Sequence, residues 1–167
     1  ESEFDVYDLI ESVRELHQAR ATRLNIGLQL STNQQATLRM KADPYRLRQV
    51  LNNLVDNAIA YNRPQGSVSL QLAHDEIANR LTFTVTDTGL GIPQDVEKNL
   101  FTRPGDPASN FTLRRKEGAG LGLVLSHQLV ELMGGQLDYR TEAGVGSSFF
   151  FTLPLRKTPT HTETVTA

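Results

Sequence analysis

The stretch from Asp43 to Tyr61, DPYRLRQVLNNLVDNAIAY, constrains this chain more than any other. Asp43 can accept hydrogen bonds from the first free N–H groups of a helix, and Pro44 stands where a helix tolerates proline. Leu47, Val50, Leu51, Leu54, Ala58 and Tyr61 recur at three- and four-residue spacing. The pattern predicts one amphipathic helix of about five turns. Asn53 and Asn57 are four apart, so their amides stack on one edge of the apolar face, where a helix gains nothing from them. Two readings stand for that pair. An amide oxygen there can ligate a hard cation or hold a phosphate-bound water, or the two asparagines are surface residues or cap a kink.

A length of 167 residues suits one domain with a real core. Seventeen basic against nineteen acidic side chains leave a formal charge of −2, which supports neither a nucleic-acid nor a polybasic membrane surface. The absence of cysteine excludes disulfides, thiolate metal sites and cysteine nucleophiles. No apolar run approaches the roughly 18 residues of a membrane span, and the acidic start Glu1-Ser2-Glu3 does not read as a signal peptide.

Val6 to Arg20 reads as a helix capped by Asp5, with His17 on its polar surface. Leu24 to Leu30 and Thr37 to Ala42 read as two short strands forming a hairpin or lying side by side. After the central helix, Asn62 to Gly66 is a turn, and Val68, Leu70 and Leu72 then alternate with polar residues. A hairpin loop over His74 to Asn79 leads to Leu81, Phe83 and Val85, which resume the alternation. That register carries Asp87 onto the buried face at a strand end, in the string DTGLGIP. A carboxylate at the edge of a core needs a donor, which a ligand amino group would supply; the competing reading is an exposed Asp in a strand-to-helix turn. Gly89 and Gly91 let backbone approach a flat ligand or turn sharply, and Pro93 opens a short helix to about Asn99.

Phe101 to Glu117, with two prolines and the run Arg114-Arg115-Lys116, reads as a mobile loop. GAGLGL, Gly118 to Leu123, then feeds a helix that bears Leu121, Val124, Leu125, Leu129, Val130 and Met133 and ends at Gly134-Gly135. Glycines entering a helix present free N–H groups and the positive dipole end to an anion, most simply a phosphate. His127 within it reads as structural. Gln136 to Arg140 and Ser147 to Leu153 are closing strands, and Arg156 to Ala167 a disordered tail or linker. Neither glycine cluster supplies a P-loop, the dinucleotide-binding arrangement is wrong, and H-R-D and D-F-G strings, a nucleophile elbow and paired zinc histidines are missing.

The strings NNLVDNA, DTGLGIP, GAGLGL and GVGSSFFFTLPL resemble the N box and three glycine boxes of sensor histidine kinase catalytic domains, within the gyrase, Hsp90, histidine kinase and MutL superfamily. The resemblance runs from about Phe4 to Leu155. It implies an α+β fold: a two-layer α/β sandwich of the Bergerat type, a mixed sheet with about three helices on one face, and a flexible ATP lid. By matching position, Asn57 would ligate Mg2+ and Asn53 would support the phosphates or the ion's water shell. Tyr61 would pack on adenine, Asp87 would accept from its amino group, and Gly89 and Gly91 would fit the loop around the base. Gly118, Gly120 and Gly122, with Leu121 between them, would cradle phosphate, and Ser147 stands near Asp87 where the family usually has Thr.

Superfamily members that hydrolyse ATP usually carry a glutamate at position 53, and the neutral Asn53 cannot act as a base, so transfer is favoured over hydrolysis. None of His17, His74, His127 and His161 stands in an H-E-x-R-T-P-like string, so no catalytic residue is assigned within this chain. The expectation is a catalytic and ATP-binding domain over residues 1–155, cut from a larger sensor kinase. Its partners would be its own dimerising histidine-containing hairpin and a response regulator receiver domain, with no nucleic acid, and the fragment alone would be a monomer. The domain would be cytoplasmic, its parent in the bacterial inner membrane.

The chain departs from the pattern in two places. Ala60 replaces a phosphate-reaching Lys, and of the lid string F-x-P-F only Phe101 is matched. Arg114, Arg115 or Lys116 could supply the lost charge. The alternative is a catalytically impaired regulatory module acting by contact with another sensor kinase.

Overall fold

The computed structural model describes residues 1–33, 37–102 and 119–155, the side chains of 119 and 120 excepted. Strand β1 (Ser2–Asp5) runs into helix α1 (Val6–Arg23), whose cap is Asp5: its carboxylate accepts from the N–H groups of Tyr7 at 2.8 Å and Asp8 at 3.2 Å. Strands β2 (Gly27–Thr32) and β3 (Arg39–Ala42) precede α2 (Pro44–Ala60), and Asp43 caps α2 in the same way through Tyr45 and Arg46. Then come β4 (Ser67–Asp75), β5 (Arg80–Asp87), the short α3 (Gln94–Glu97), α4 (Ala119–Leu132), β6 (Leu137–Glu142) and β7 (Gly146–Pro154).

The main sheet has the order β2-β4-β5-β7-β6, with β2 parallel to β4 and the other neighbours antiparallel. The expected pairing of β2 with β3 is therefore corrected. β2 aligns Leu28 with Val68 of β4, while β3 pairs with β1, Phe4 opposite Met40, as a separate ribbon. Alternation tells a strand which face to bury and is silent on its neighbour. A parallel β2–β4 pair needs a crossover, and α2 lies in that connection.

Helix α2 packs between α1 and α4 and on strands β4 and β5. Its stripe of Leu47, Leu51, Leu54 and Ala58 is buried in one core with Leu70, Leu81, Phe83 and Phe151, the rings of Phe83 and Phe151 stacked 4.9 Å apart. The opposite sheet face is polar, and there Thr82 and Thr152 hydrogen-bond across β5 and β7 at 2.9 Å. The mixed α/β architecture is the one expected.

Two histidines differ from expectation. His17 is buried at 6 % exposure, because α1 lies along α2 and turns that ring inward. Its Nε2 is 3.1 Å from Asn52 Oδ1 and its Nδ1 3.4 Å from Asp56, which Arg20 also meets at 2.7 Å. His74 lies within β4 rather than in the loop, and both its ring nitrogens are buried without a partner among the described residues. The lid beyond Thr102 and the tail 156–167 lie outside the described residues.

Candidate functional site

Strand β5 brings its dry residues Leu81, Phe83 and Val85 under α2, and the carboxylate of Asp87 arrives at the strand's end beside the end of that helix. Asp87 Oδ1 accepts the Gly89 N–H at 2.8 Å, and the Ser147 N–H, from the residue opposite it on β7, also donates to the carboxylate. Burial pushes the Asp87 carboxyl above the usual aspartate range, and the two N–H donors oppose that shift without cancelling it. A half-buried acceptor with that balance fits a further donor from a ligand.

The backbone around Asp87 is packed too closely for side chains. A Cβ at Gly89 would stand 2.4 Å from Tyr61 O, and one at Gly91 2.4 Å from Glu142 O. At Gly146, where φ is +144°, it would stand 2.0 Å from Asp87 O. Gly89 and Gly91 were expected to let backbone approach a flat ligand or turn sharply. In the structure each also lets one chain segment lie against another. Gly146 belongs to the same set, and its late Gly-x-Gly-Ser string was the signal for it.

Along α2, Asn53, Asn57 and Tyr61 recur at one-turn spacing, so the row covers about 12 Å from the α4 end of the site to the Asp87 end. Asn53 Nδ2 donates to Gly122 O and to the buried Ser126 Oγ, each at 3.3 Å, which fastens α4 to α2. Asn57 is half-buried, and its amide has no hydrogen-bond partner among the described residues. Tyr61 caps α2 and is 42 % exposed, and its carbonyl accepts from Leu90 N–H at 3.4 Å. Gly120 and Gly122 fall in the opening turns of α4, and Leu121 is exposed. Ser147 is buried, its hydroxyl 3.0 Å from that of Thr141. Arg114, Arg115, Lys116 and Gly118 lie outside the described residues.

Two groups near the site went unpredicted. Arg63 Nη2 donates to Gly89 O at 2.8 Å and to Gly144 O, and Thr141 Oγ1 accepts the Ile92 N–H at 2.8 Å. Arg63 meets partners 26 and 81 residues away from a turn that reads only as polar, so no local pattern could reveal it. Phe101 is seated without the rest of the lid string: it stacks on His127 at 4.8 Å and meets the edge of Tyr139 at 5.8 Å.

Residues 42–157 match the family described as histidine kinase-, DNA gyrase B-, and HSP90-like ATPase. The chain belongs to this family. Within it, the chain is similar to the circadian input-output histidine kinase CikA of Synechococcus elongatus, at 38 % identity over 81 % of the chain and 18 % of that protein. It is likewise 38 % identical to the sensory/regulatory protein RpfC of Xanthomonas campestris, over 92 % of the chain and 21 % of that protein. The chain thus spans about a fifth of these relatives. The solved catalytic domain of the histidine kinase ThkA, nucleotide-free, superposes with a TM-score of 0.77 at 28 % identity, covering 92 % of this chain and 95 % of that one. Full-length ShkA, solved in complex with AMPPNP, superposes equally well at 30 % identity, with 94 % of this chain covered and 31 % of that one. The domain is of the ATP-binding catalytic type found in histidine kinases.

Proposed function

We propose that this domain binds ATP with magnesium and transfers the γ-phosphoryl group to a histidine on a helical hairpin outside this chain. The observation that carries the reading is the placement of Asp87. Its carboxylate, oriented by the N–H groups of Gly89 and Ser147, stands at one end of the row formed by Asn53, Asn57 and Tyr61, and the glycines of α4 stand at the other. Asp87 accepts from the exocyclic amino group of adenine, Tyr61 packs on the base, and the opening of α4 faces the phosphates. A guanine, with a carbonyl where adenine has an amino group, would meet Asp87 acceptor to acceptor.

Among the described residues no group of three or more His, Asp or Glu side chains is placed to hold a metal ion. A hard cation here is held by an amide, phosphate oxygens and water, which is the manner in which magnesium keeps most of its shell. Asn57 fits that role, since its amide is half-buried with no partner among the described residues. Magnesium, when bound, neutralises charge on the phosphates. Asn53, a neutral amide tied to Gly122 and Ser126, offers no base for water, so transfer rather than hydrolysis follows. The intact Asp87 geometry supports this reading over that of a contact module with a decayed nucleotide site.

ThkA has been solved in complex with the response regulator protein TrrA, and a response regulator receiver domain is the partner we assign beside the hairpin. No helix among the described residues is long and apolar enough to cross a membrane, which suits a domain on the cytoplasmic side of a membrane sensor. Calorimetric titration with a non-hydrolysable ATP analogue, with and without magnesium, tests the proposal. Binding that weakens without magnesium and in Asn57→Ala, followed by phosphotransfer to the added hairpin, is expected. Absence of binding by the wild-type domain would leave a protein-contact module on a nucleotide-binding fold.

A further inference from the structure

We infer that Arg63 is a positioning residue of the nucleotide site, clamping together the two backbone segments that orient the Asp87 carboxylate. The inference rests on the reading of Asp87 as the group that takes the adenine.

The two donors to Asp87 come from separate segments. Gly89 belongs to the loop after β5, and Ser147 follows the turn between β6 and β7. Neither segment can be held by side-chain packing at the critical points. Glycine stands at positions 89, 91, 144 and 146, and three of these four hold a positive φ. Such backbone has the widest conformational freedom in the chain, and its order has to come from hydrogen bonds.

Arg63 supplies them from a third place, the turn after α2. One guanidinium nitrogen donates to the carbonyl of Gly89, the residue whose own N–H holds Asp87 Oδ1, and to the carbonyl of Gly144, three residues before Ser147. Fixing the Gly89 carbonyl fixes the peptide plane that follows the donor. Fixing the Gly144 carbonyl holds the turn that leads into Ser147. The clamp works with the Gly144 N–H donating to Leu90 O at 2.9 Å and with the long Leu90–Tyr61 bond at 3.4 Å, which holds the same Gly89–Leu90 peptide plane from its N–H side and leaves the Gly144 carbonyl to Arg63. A planar guanidinium, always charged, suits two carbonyl acceptors that converge on one nitrogen.

The test uses Arg63→Ala, Arg63→Gln and Arg63→Lys with two independent readouts. The first is the titration of the Asp87 carboxyl carbon by NMR in nucleotide-free protein, where the dispersed amide spectrum also reports the fold. The second is calorimetric affinity for a non-hydrolysable ATP analogue, for adenosine and for tripolyphosphate. Arg63→Ala and Arg63→Gln should raise the Asp87 midpoint, because the N–H bonds that lower it loosen. They should weaken the ATP analogue and adenosine about tenfold while leaving tripolyphosphate unchanged. Arg63→Lys should restore both readouts, since an ammonium carries enough hydrogens for two carbonyls. An unmoved Asp87 midpoint, or equal losses for adenosine and tripolyphosphate, would overturn the clamp. Failure of the wild-type domain to bind adenosine would overturn the adenine reading instead, and the Asp87 titration would still decide the role of Arg63.

Discussion

At the scale of single residues, the adenine contact proposed for Asp87 sets stability against function. The Asp87 carboxyl is raised by burial, so the folded state favours the protonated form. The sign follows: that contribution to stability is fully present below the unfolded aspartate value of about 3.9 and is lost as pH rises through the higher folded value. At neutral pH the domain holds a charge it would rather hold in water. Asp87→Asn should therefore raise the urea midpoint at pH 7 while abolishing binding of an ATP analogue, and its advantage should shrink as pH falls toward about 4. Paired urea melts at the two pH values check this; a variant less stable at both would mean that the Gly89 and Ser147 bonds outweigh the burial. Asp87 was visible beforehand because strand alternation delivers it to the dry face. The two N–H groups that orient it were not, since one lies 60 positions later on a strand whose pairing no local pattern announces.

At the scale of elements, the site is the meeting of a helix end, a strand end and a turn, and glycine decides how near they come. Gly146→Ala places a Cβ 2.0 Å from Asp87 O on backbone at φ +144°. Such strain costs about 1–3 kcal/mol before the clash is counted, and the displaced β7 would carry Ser147 away from Asp87. Thermal melts should show the loss, together with weakened binding of the ATP analogue; a wild-type melting temperature would refute it. Helix α2 was legible almost to the residue because its cap, proline and apolar stripe agree. The seam between α1 and α2 was not. His17 faces Asn52 and Asp56 across it, and a polar residue buried on a neighbouring helix looks the same in sequence as one facing water. The β1–β3 ribbon escaped notice for a related reason, four residues with two acids giving no alternation to follow.

At the scale of the whole molecule, one core under one sheet holds every piece of the site in register. Phe83→Ala removes a fully buried ring stacked on Phe151 and should cost about 3–5 kcal/mol, a large share of the roughly 5–15 kcal/mol that folds a domain. Denaturant titration followed by fluorescence and circular dichroism should give a single shifted transition. Ligand binding acts on the same balance: at a hundred times Kd, an ATP analogue with magnesium should add about 2.7 kcal/mol, and Asn57→Ala should lose the magnesium-dependent part. An identical magnesium response in that variant would remove Asn57 from the metal's shell. By itself the sequence determined most of the elements and singled out Asp87, the two α2 asparagines and the glycine strings, because helical and strand periods, caps and glycine strings are written within a few residues of one another. Only the tertiary structure decided that β2 joins β4 rather than β3, that His17 is buried, and that Arg63 reaches Gly89 and Gly144. Those outcomes depend on contacts between distant segments, whose energies exist only once the sheet has assembled.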